Sequence, residues 1–383
     1  MLQVPGWKPA LRAEVLERAA LPTLMPAWED LCASSIEDNV YYSPRYAQAL
    51  LENVESEQNI RFAAVWDGAK LVGMVPFTSA RLPIPLLRPA GRAWQSKYIY
   101  SCTPLLDKDR AGEAAAALLH VLASVSAGEW IIPTVNSRGE ACKAMVAALE
   151  RLRKPWRMSG HFQRAALESG TTFDEHMRCH VSSSRRKDLA RNRRRLEQLG
   201  KVAHECHRSG DGLDRAVSAF LRIEASGWKG SRGTALACDE VTRKFAIGAF
   251  TGDERNSICR ADVLTLDGAP IAVSLVVFAG RTGFAVKSTY DETYRNCSAG
   301  LLLEVEMLRS FLSGNWVGRL DAATAGTHIL DSLWPEKIEV ADLIFSLSPR
   351  FPRIRLSAFH VSDQITRNVR GAIKRSLAHF RKS

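Results

Sequence analysis

Between Thr289 and Leu308 the sequence reads TYDETYRNCSAGLLLEVEML, which sets side chains able to move protons directly before a possible seat for an anion. Tyr290 and Asp291 close an extended run, Tyr294 and Arg295 follow, and Asn296, Cys297, Ser298, Ala299 and Gly300 lead into an apolar helix whose first turn has no acid. First-turn N–H groups lack an internal partner, and with the helix dipole they amount to about half a positive charge. With Ser298 as N-cap, small residues behind it and Arg295 in front, several N–H groups could hold a phosphate. The alternative is an ordinary capped helix in which Gly300 permits close packing.

Elements must carry that turn. GFAVKSTY (283–290) reads as a strand, and strict alternation puts Phe284, Val286, Ser288 and Tyr290 on one face and Ala285, Lys287, Thr289 and Asp291 on the other. Before it, LTLDGAPIAVSLVVF (264–278) is a β run, an Asp-Gly turn and a second β run. AAVWDGAKLVGMVPF (63–77) has the same form, and the two Asp-Gly pairs, at Asp67 and Asp267, are spaced as in a duplicated domain. YSPRYAQALLENV predicts a helix with Ser43 as N-cap and Pro44 in its first turn, and EACKAMVAALERLR a second; both belong to the first half. RLPIPLLRPAGR (81–92) is expected to be a loop, because each proline removes a backbone donor and fixes φ.

SRRKDLARNRRRLEQLG predicts a helix closed by Gly200. Leu189, Leu196 and Leu199 make a narrow docking side, and Arg185, Arg186, Lys187, Arg191, Arg193, Arg194 and Arg195 occupy the rest. A helix near 213–225 and the strand IEVADLIFSL are expected further on. The C-terminal SDQITRNVRGAIKRSLAHFRKS carries an apolar stripe of Ile365, Val369, Ile373, Leu377 and Phe380 among basic residues.

A chain of 383 residues suggests two domains, and 46% hydrophobic against 24% charged residues excludes a disordered chain. No apolar run approaches the ~20 residues of a membrane span, so a cytoplasmic protein is expected. Eight cysteines without C-x-x-C spacing point to reduced thiols rather than disulfides or zinc. In HECH (204–207), alternation on a strand separates His204 and Cys206 from Glu205 and His207, so no metal site is expected. The net charge of +11 calls for an anionic partner or aids solubility. G-x-S-x-G, H-E-x-x-H, P-loop and G-x-G-x-x-G signatures are all missing.

The order of hairpin, strand, small-residue turn and helix resembles the acyl-coenzyme A core of the GNAT acetyltransferase superfamily. Arg295-Asn296-Cys297-Ser298-Ala299-Gly300 resembles that superfamily's pyrophosphate pattern, Gln or Arg-x-x-Gly-x-Gly or Ala, with Ser298 in place of the first glycine. More narrowly, the succession of the basic helix, GWKG, LDGAPIA, YDETYRNCSAGLLL and RLDAATAG…W, over about 173–334, is similar to CelD-like acetyltransferases of cellulose and exopolysaccharide synthesis. Their architecture is similar to that of Fem-type aminoacyltransferases. Relatives carry a Tyr-Lys pair before the final tryptophan; here Thr327 and His328 stand there, so no role is carried over to that lysine.

The resemblance implies an α/β fold with mixed sheets, in two tandem GNAT-like domains packed side by side. The first would span 1–170, the second 171–360 with the acyl-CoA site, and a basic amphipathic helix 361–383. It implies an acyltransferase moving an acyl group from acetyl-CoA or another acyl-CoA, without a metal, to an amine or hydroxyl of a sugar or cell-envelope precursor. Arg295, Asn296, Ser298, Ala299 and Gly300 would bind the coenzyme, and Trp228, Lys287 and Tyr294 the acceptor. Asp321, Asp291, Tyr290 and His328 are the candidates for proton transfer, a role met by aspartate, tyrosine and histidine alike. Each has a plainer use: the aspartates as caps, the tyrosines as cross-strand neighbours, Trp228 as core. Polysaccharide-synthesis machinery and an anionic inner-membrane surface are the expected partners. Two alternatives remain: a Fem-like enzyme using aminoacyl-tRNA, or a basic nucleic-acid-binding module without catalysis. The arginine helix lacks the interleaved aromatics that nucleic-acid stacking needs, so nucleic acid is not the expected partner.

Overall fold

The computed structural model describes residues 11–80, 90–314, 316–324 and 329–380. In chain order the strands and helices are β1 (Arg12–Leu16), α1 (Leu21–Ser34), α2 (Pro44–Glu52), β2 (Arg61–Asp67), β3 (Lys70–Ala80), β4 (Ala90–Ala93), β5 (Leu105–Leu106), α3 (Ala111–Val125), β6 (Glu129–Asn136), α4 (Glu140–Arg151) and β7 (Trp156–Glu168). They continue as α5 (Phe173–His180), α6 (Ser183–Glu197), β8 (Val202–His207), α7 (Gly210–Ser226), α8 (Trp228–Ser231), α9 (Glu240–Phe250), β9 (Cys259–Leu266), β10 (Ala269–Ala279), β11 (Thr282–Tyr290), α10 (Ala299–Ser313), β12 (Arg319–Asp321), β13 (Glu336–Ser346) and α11 (Pro352–Phe380).

The chain divides into two compact units, one of residues 1–39, 59–161 and 339–383, the other of 40–58 and 162–338. The main changeover follows residue 161, and two segments cross it. Helix α2, from the first half of the sequence, clusters with the second unit because Tyr46 stacks edge-on against Phe245 and Arg45 donates to the Thr251 carbonyl at 2.6 Å. Strand β13 returns to the first unit by pairing with β6. Helix α11 begins nine residues before the expected C-terminal helix; Leu356 and Phe359 bury against Ile131 and Ile344, which anchors its first turns in the first unit.

In the first unit β1, β2, β3 and β4 pair antiparallel in sequence, β4 lies parallel to β6, and β6 pairs antiparallel with β13. In the second, β8, β9, β10 and β11 form an antiparallel meander, β12 joins parallel to β11, and the end of β7 pairs antiparallel with β12. Both Asp-Gly segments form the expected hairpins. Helix α10 covers one face of the second unit's strands, with Leu302, Leu303, Met307, Leu308 and Phe311 in a core that includes Leu320 and Trp334.

Several expectations need correction. Of the proline-rich stretch, 81–89 lies outside the described residues, while Ala90–Ala93 is a strand: its small residues let Gly91 lie against the Trp130 ring. Helix α6 ends at Glu197, so Leu199 leaves the docking side and is 57% exposed, whereas Leu189 and Leu196 are buried. Ser43 holds the N-cap position of α2, but its hydroxyl donates to the Val40 carbonyl and does not cap. The alternation expected along β11 also fails. Lys287 pairs with Leu275 and Ala285 with Val276, so Val286 is an extra residue, and such a bulge shifts the alternation beyond it. Phe284 therefore meets Tyr41, while Ala285 and Tyr290 share the face covered by α10.

Candidate functional site

A pocket of about 240 Å³ opens in the second unit between the end of β11 and the junction of α7 and α8. Ser288, Thr289 and Tyr290 form one wall, Glu224, Gly227, Trp228 and Lys229 another, and Glu292 the rim. Gly227 breaks the helix with extended backbone, which turns Trp228 out of α7 to lie 51% exposed. Trp228 N–H donates to Glu292 Oε1 at 3.2 Å, and the Arg232 guanidinium sits 5.0 Å from its ring centroid. Glu224, buried on α7, accepts from Lys229 Nζ at 2.7 Å and from Leu236 N–H at 2.8 Å. Two carboxylates against one lysine and an exposed indole face suit a cationic or polyhydroxylated acceptor.

Beyond Tyr290 the chain makes a 3-10 turn, Glu292–Cys297, whose start Asp291 caps by accepting from Thr293 N–H at 2.9 Å. Ser298 then adopts left-handed backbone (φ 53°, ψ 44°) and α10 begins. The N-cap expectation for Ser298 is corrected: its side chain caps nothing and accepts from Asn192 Nδ2 of α6 at 3.1 Å. No acid lies in the first turn of α10, and Arg295 and Asn296 are exposed. Helix α6 rests on this turn. Of its basic residues, Arg191 pairs with Asp188 and Arg193 with Glu197 and Glu306, but among the described residues no acid pairs with Arg185, Arg186, Lys187, Arg194 or Arg195.

The expectation of a fully uncovered seat at residue 299 is not met. Ala299 has no exposed surface, and a Cβ on Gly300 would lie 3.0 Å from Tyr290 Cδ1, so the glycine is answered by the tyrosine ring. The open part of the turn is its Arg295–Ser298 side. There the acid-free helix start and an exposed arginine and asparagine lie beside α6, which reaches the turn through Asn192, and donors of this kind suit an anion.

The structure brings Tyr290 and Trp228 to one pocket, with Asp291 beside them and Tyr294 packed at the α10 start. Lys287 stands on β11 next to Ser288. Asp321 is elsewhere. It ends β12 opposite Phe284, six residues from Tyr290 along β11, or roughly 20 Å at ~3.3 Å per residue. It is 3% exposed, lies 2.8 Å from Arg164 Nε and accepts from Ala323 N–H at 2.8 Å. Burial raises its carboxyl from the ordinary range, against the pull of Arg164. His328 lies outside the described residues. His204 of HECH is hydrogen-bonded to Asp262 at 2.8 Å, and no cluster of metal-ligating side chains occurs among the described residues.

Sequence reasoning missed Glu304. It points from α10 into the sheet, 4% exposed, where burial, then the nearby Asp262, push its carboxyl up to about 8. The signal was present: Glu304 shares helical spacing with Met307, Leu308 and Phe311, all buried. Glu224 and Glu292 were missed as well. Glu224 follows the buried Phe220, Leu221 and Ile223 in α7, but nothing local marks Glu292.

Comparison with known proteins bears on the fold. Residues 183–325 match the family model described as an acetyltransferase (GNAT) domain. Among solved structures, the crystal structure of FemX is similar at 10% identity over 86% of this chain and 97% of that one, with a TM-score of 0.54. The C-terminal domain (DUF2156) of a putative lysylphosphatidylglycerol synthetase from Agrobacterium fabrum is similar at 10% identity, 89% and 96% coverage and a TM-score of 0.52. A conserved protein of unknown function from Bacteroides thetaiotaomicron gives 12% identity, 86% and 97% coverage and 0.51. No curated protein matches the chain. The fold is therefore mixed α/β and GNAT-like, with the acetyltransferase match falling on the unit that holds the pocket.

Proposed function

We propose that this protein is an acyltransferase that moves an acyl group from acyl-coenzyme A to an amine or hydroxyl of a sugar or cell-envelope precursor. The observation that carries the reading is the adjacency of two features along the chain. Tyr290 ends the wall of the acceptor pocket, and a few residues later the chain forms an acid-free helix start flanked by Arg295 and Asn296. Bound there, coenzyme A supplies a thioester activated for attack. Arg295, Asn296 and the Ser298 turn hold its diphosphate, and Trp228 and Glu292 orient the acceptor in the pocket. The Tyr290 hydroxyl is placed to exchange a proton with the acceptor. Asp321, sealed beside Arg164, supports β12 rather than the reacting atoms. The acceptor class, and a place in exopolysaccharide synthesis, rest on the resemblance to CelD-like enzymes.

A second reading has its own support. The arginines of α6 that pair with no acid among the described residues, on the helix that touches the turn through Asn192, would suit a longer polyanion such as aminoacyl-tRNA, and their binding would weaken steeply with salt. Calorimetric titration with acetyl-coenzyme A, longer acyl-coenzyme A and free coenzyme A, beside tRNA at two salt concentrations, separates the two. Coenzyme binding that Arg295→Ala weakens about tenfold supports the first reading, the size expected for a lost charged hydrogen bond. Salt-sensitive tRNA binding without thioester affinity transfers the assignment to the second.

A further inference from the structure

Polar side chains cross the strands of the second unit in a row. Asp262 of β9 stands opposite Ser274 of β10, and Ser274 opposite Ser288 of β11, so strand pairing puts all three on one face. Glu304 of α10 comes down on that row. Ser274 Oγ donates to Glu304 Oε1 at 3.3 Å, and the Ser288 hydroxyl bonds the same carboxyl. Glu304 Oε2 is sealed from water and accepts from no donor. Ser288 is itself exposed and lines the acceptor pocket, so it is the one member of the row that touches both the buried acid and the cavity.

A buried oxygen with no donor is costly as part of an anion and more readily tolerated as the carbonyl oxygen of a neutral acid. The surrounding charges favour the neutral form. Asp262 is the titratable group that pushes on Glu304. Its own charge is held by Arg260 Nε at 2.8 Å and by His204 at 2.8 Å, contacts that outweigh burial and keep its carboxyl low. From α6, Arg193 is engaged with Glu306, and from α5, His176 is bonded to the Leu333 carbonyl. Among the described residues no ion pair joins a cation to Glu304.

We propose that Glu304 is a positioning residue for the transfer reaction. As a neutral acid it donates from Oε1, the oxygen that has partners, to Ser288 Oγ, leaving the Ser288 hydroxyl proton to point into the pocket at the oxygen or sulfur where negative charge gathers. This rests on the acyl-transfer reading of the same pocket. An acid held neutral by its surroundings so that it can donate a hydrogen bond is an established way of stabilising such charge.

The test uses the full chain with acetyl-coenzyme A and a panel of amino sugars, following thiol release, beside infrared spectra of the carboxyl region. Ser288→Ala lowers kcat about a hundredfold with KM little changed, the size expected for one lost donor to a developing anion. Glu304→Leu loses most of that activity, whereas Glu304→Gln keeps it, because the amide also donates to Ser288. In the wild type kcat falls as pH rises past about 8, when Glu304 ionises, and Glu304→Gln abolishes that decline. A purely structural Glu304 would give the two enzymes the same pH profile. A Glu304→Gln enzyme as inactive as the leucine variant makes Glu304 a base and overturns the proposal. The infrared spectrum should show a protonated carboxyl at pH 7 that Glu304→Gln removes and Ser288→Ala shifts; its absence overturns the proposal whatever the substrate. A wild type that turns over no thioester removes the acyl-coenzyme A reading instead, and the infrared band still decides the Glu304–Ser288 bond.

Discussion

In the hairpin of β2 and β3 the second strand carries one extra residue, Val72, whose carbonyl accepts from Asp107 N–H at 2.9 Å. In the hairpin of β9 and β10 the extra residue is Ile271, whose carbonyl accepts from Asp291 N–H at 2.7 Å. Both hairpins lead on to a helix that begins Ala-Gly, α3 at Ala111 and α10 at Ala299. From this shared scaffold the two regions diverge in charge. In the first unit Asp107 is buried, bound by Lys70 and Ser34, and the start of α3 holds Glu113, paired with Arg110 at 2.7 Å. In the second, Asp291 borders a pocket, α10 has no acid in its first turn, and Arg295 stands exposed. Of two similar helix starts one is neutralised and the other left without an acid, and the proposed donor site rests on the second.

The largest test of that contrast is an acid placed at each glycine. Nothing lies within 4 Å of a Cβ on Gly112, whereas one on Gly300 meets Tyr290. Gly300→Asp is expected to weaken coenzyme binding about a hundredfold, since it displaces the pocket tyrosine and adds repulsion of roughly 1 kcal/mol at the helix start. Gly112→Asp should leave it unchanged. Equal binding by all three proteins in calorimetry would show that the α10 start holds no anion.

A second contrast lies inside the helices. The buried face of α3 is alanine, leucine and valine, while α10 buries Glu304. An unfolded glutamate releases its proton near 4.5 and the folded Glu304 near 8, so the fold loses stability as pH rises between these values and levels off above. The slope from this one group is at most about 1.4 kcal/mol per pH unit. Urea melts of Glu304→Gln should lack that slope and exceed the wild type at pH 8 to 9.

Next in size is the pair Asp107→Asn and Asp291→Asn. Burial pushes the Asp107 carboxyl up, but the bonds from Lys70 and Ser34 outweigh it and hold it below its ordinary value. Its stabilisation is therefore present above the unfolded value of 3.8 and lost as pH falls through the folded one. Asp107→Asn should cost on the order of 2 kcal/mol at pH 7 in urea melts, and Asp291→Asn much less. Equal losses would mean that the second aspartate is as structural as the first.

Much of this was legible in the chain. The Asp-Gly pairs marked both hairpins, and the acid-free run from Cys297 marked the helix start, because turn chemistry and helix ends are local. Side-chain direction near the site was not. The extra residue Val286 carries no signature, and it moves Ser288 and Tyr290 to the face opposite Phe284. Ser298 takes left-handed backbone without being glycine, held by a bond from Asn192, 106 residues away in sequence. Asp321 looked reactive by type. Only the pairing of β12 with β7 shows it sealed beside Arg164.

The smallest predicted effect exchanges the third residue of each helix, Glu113 and Leu301. Glu113→Gln removes a carboxylate from the first turn of α3 and half the environment of Arg110, which keeps its contact with Asp67. The cost should be about 0.5 kcal/mol of stability, with donor affinity untouched. Leu301→Glu does the reverse to α10, placing there the charge that neutralises α3. Its side chain is only half-buried, so the fold can accept it, and coenzyme binding should fall about threefold to fivefold, more at low salt than at high. A salt-independent loss of the same size would assign the effect to packing of Leu301 rather than to the field at the helix start.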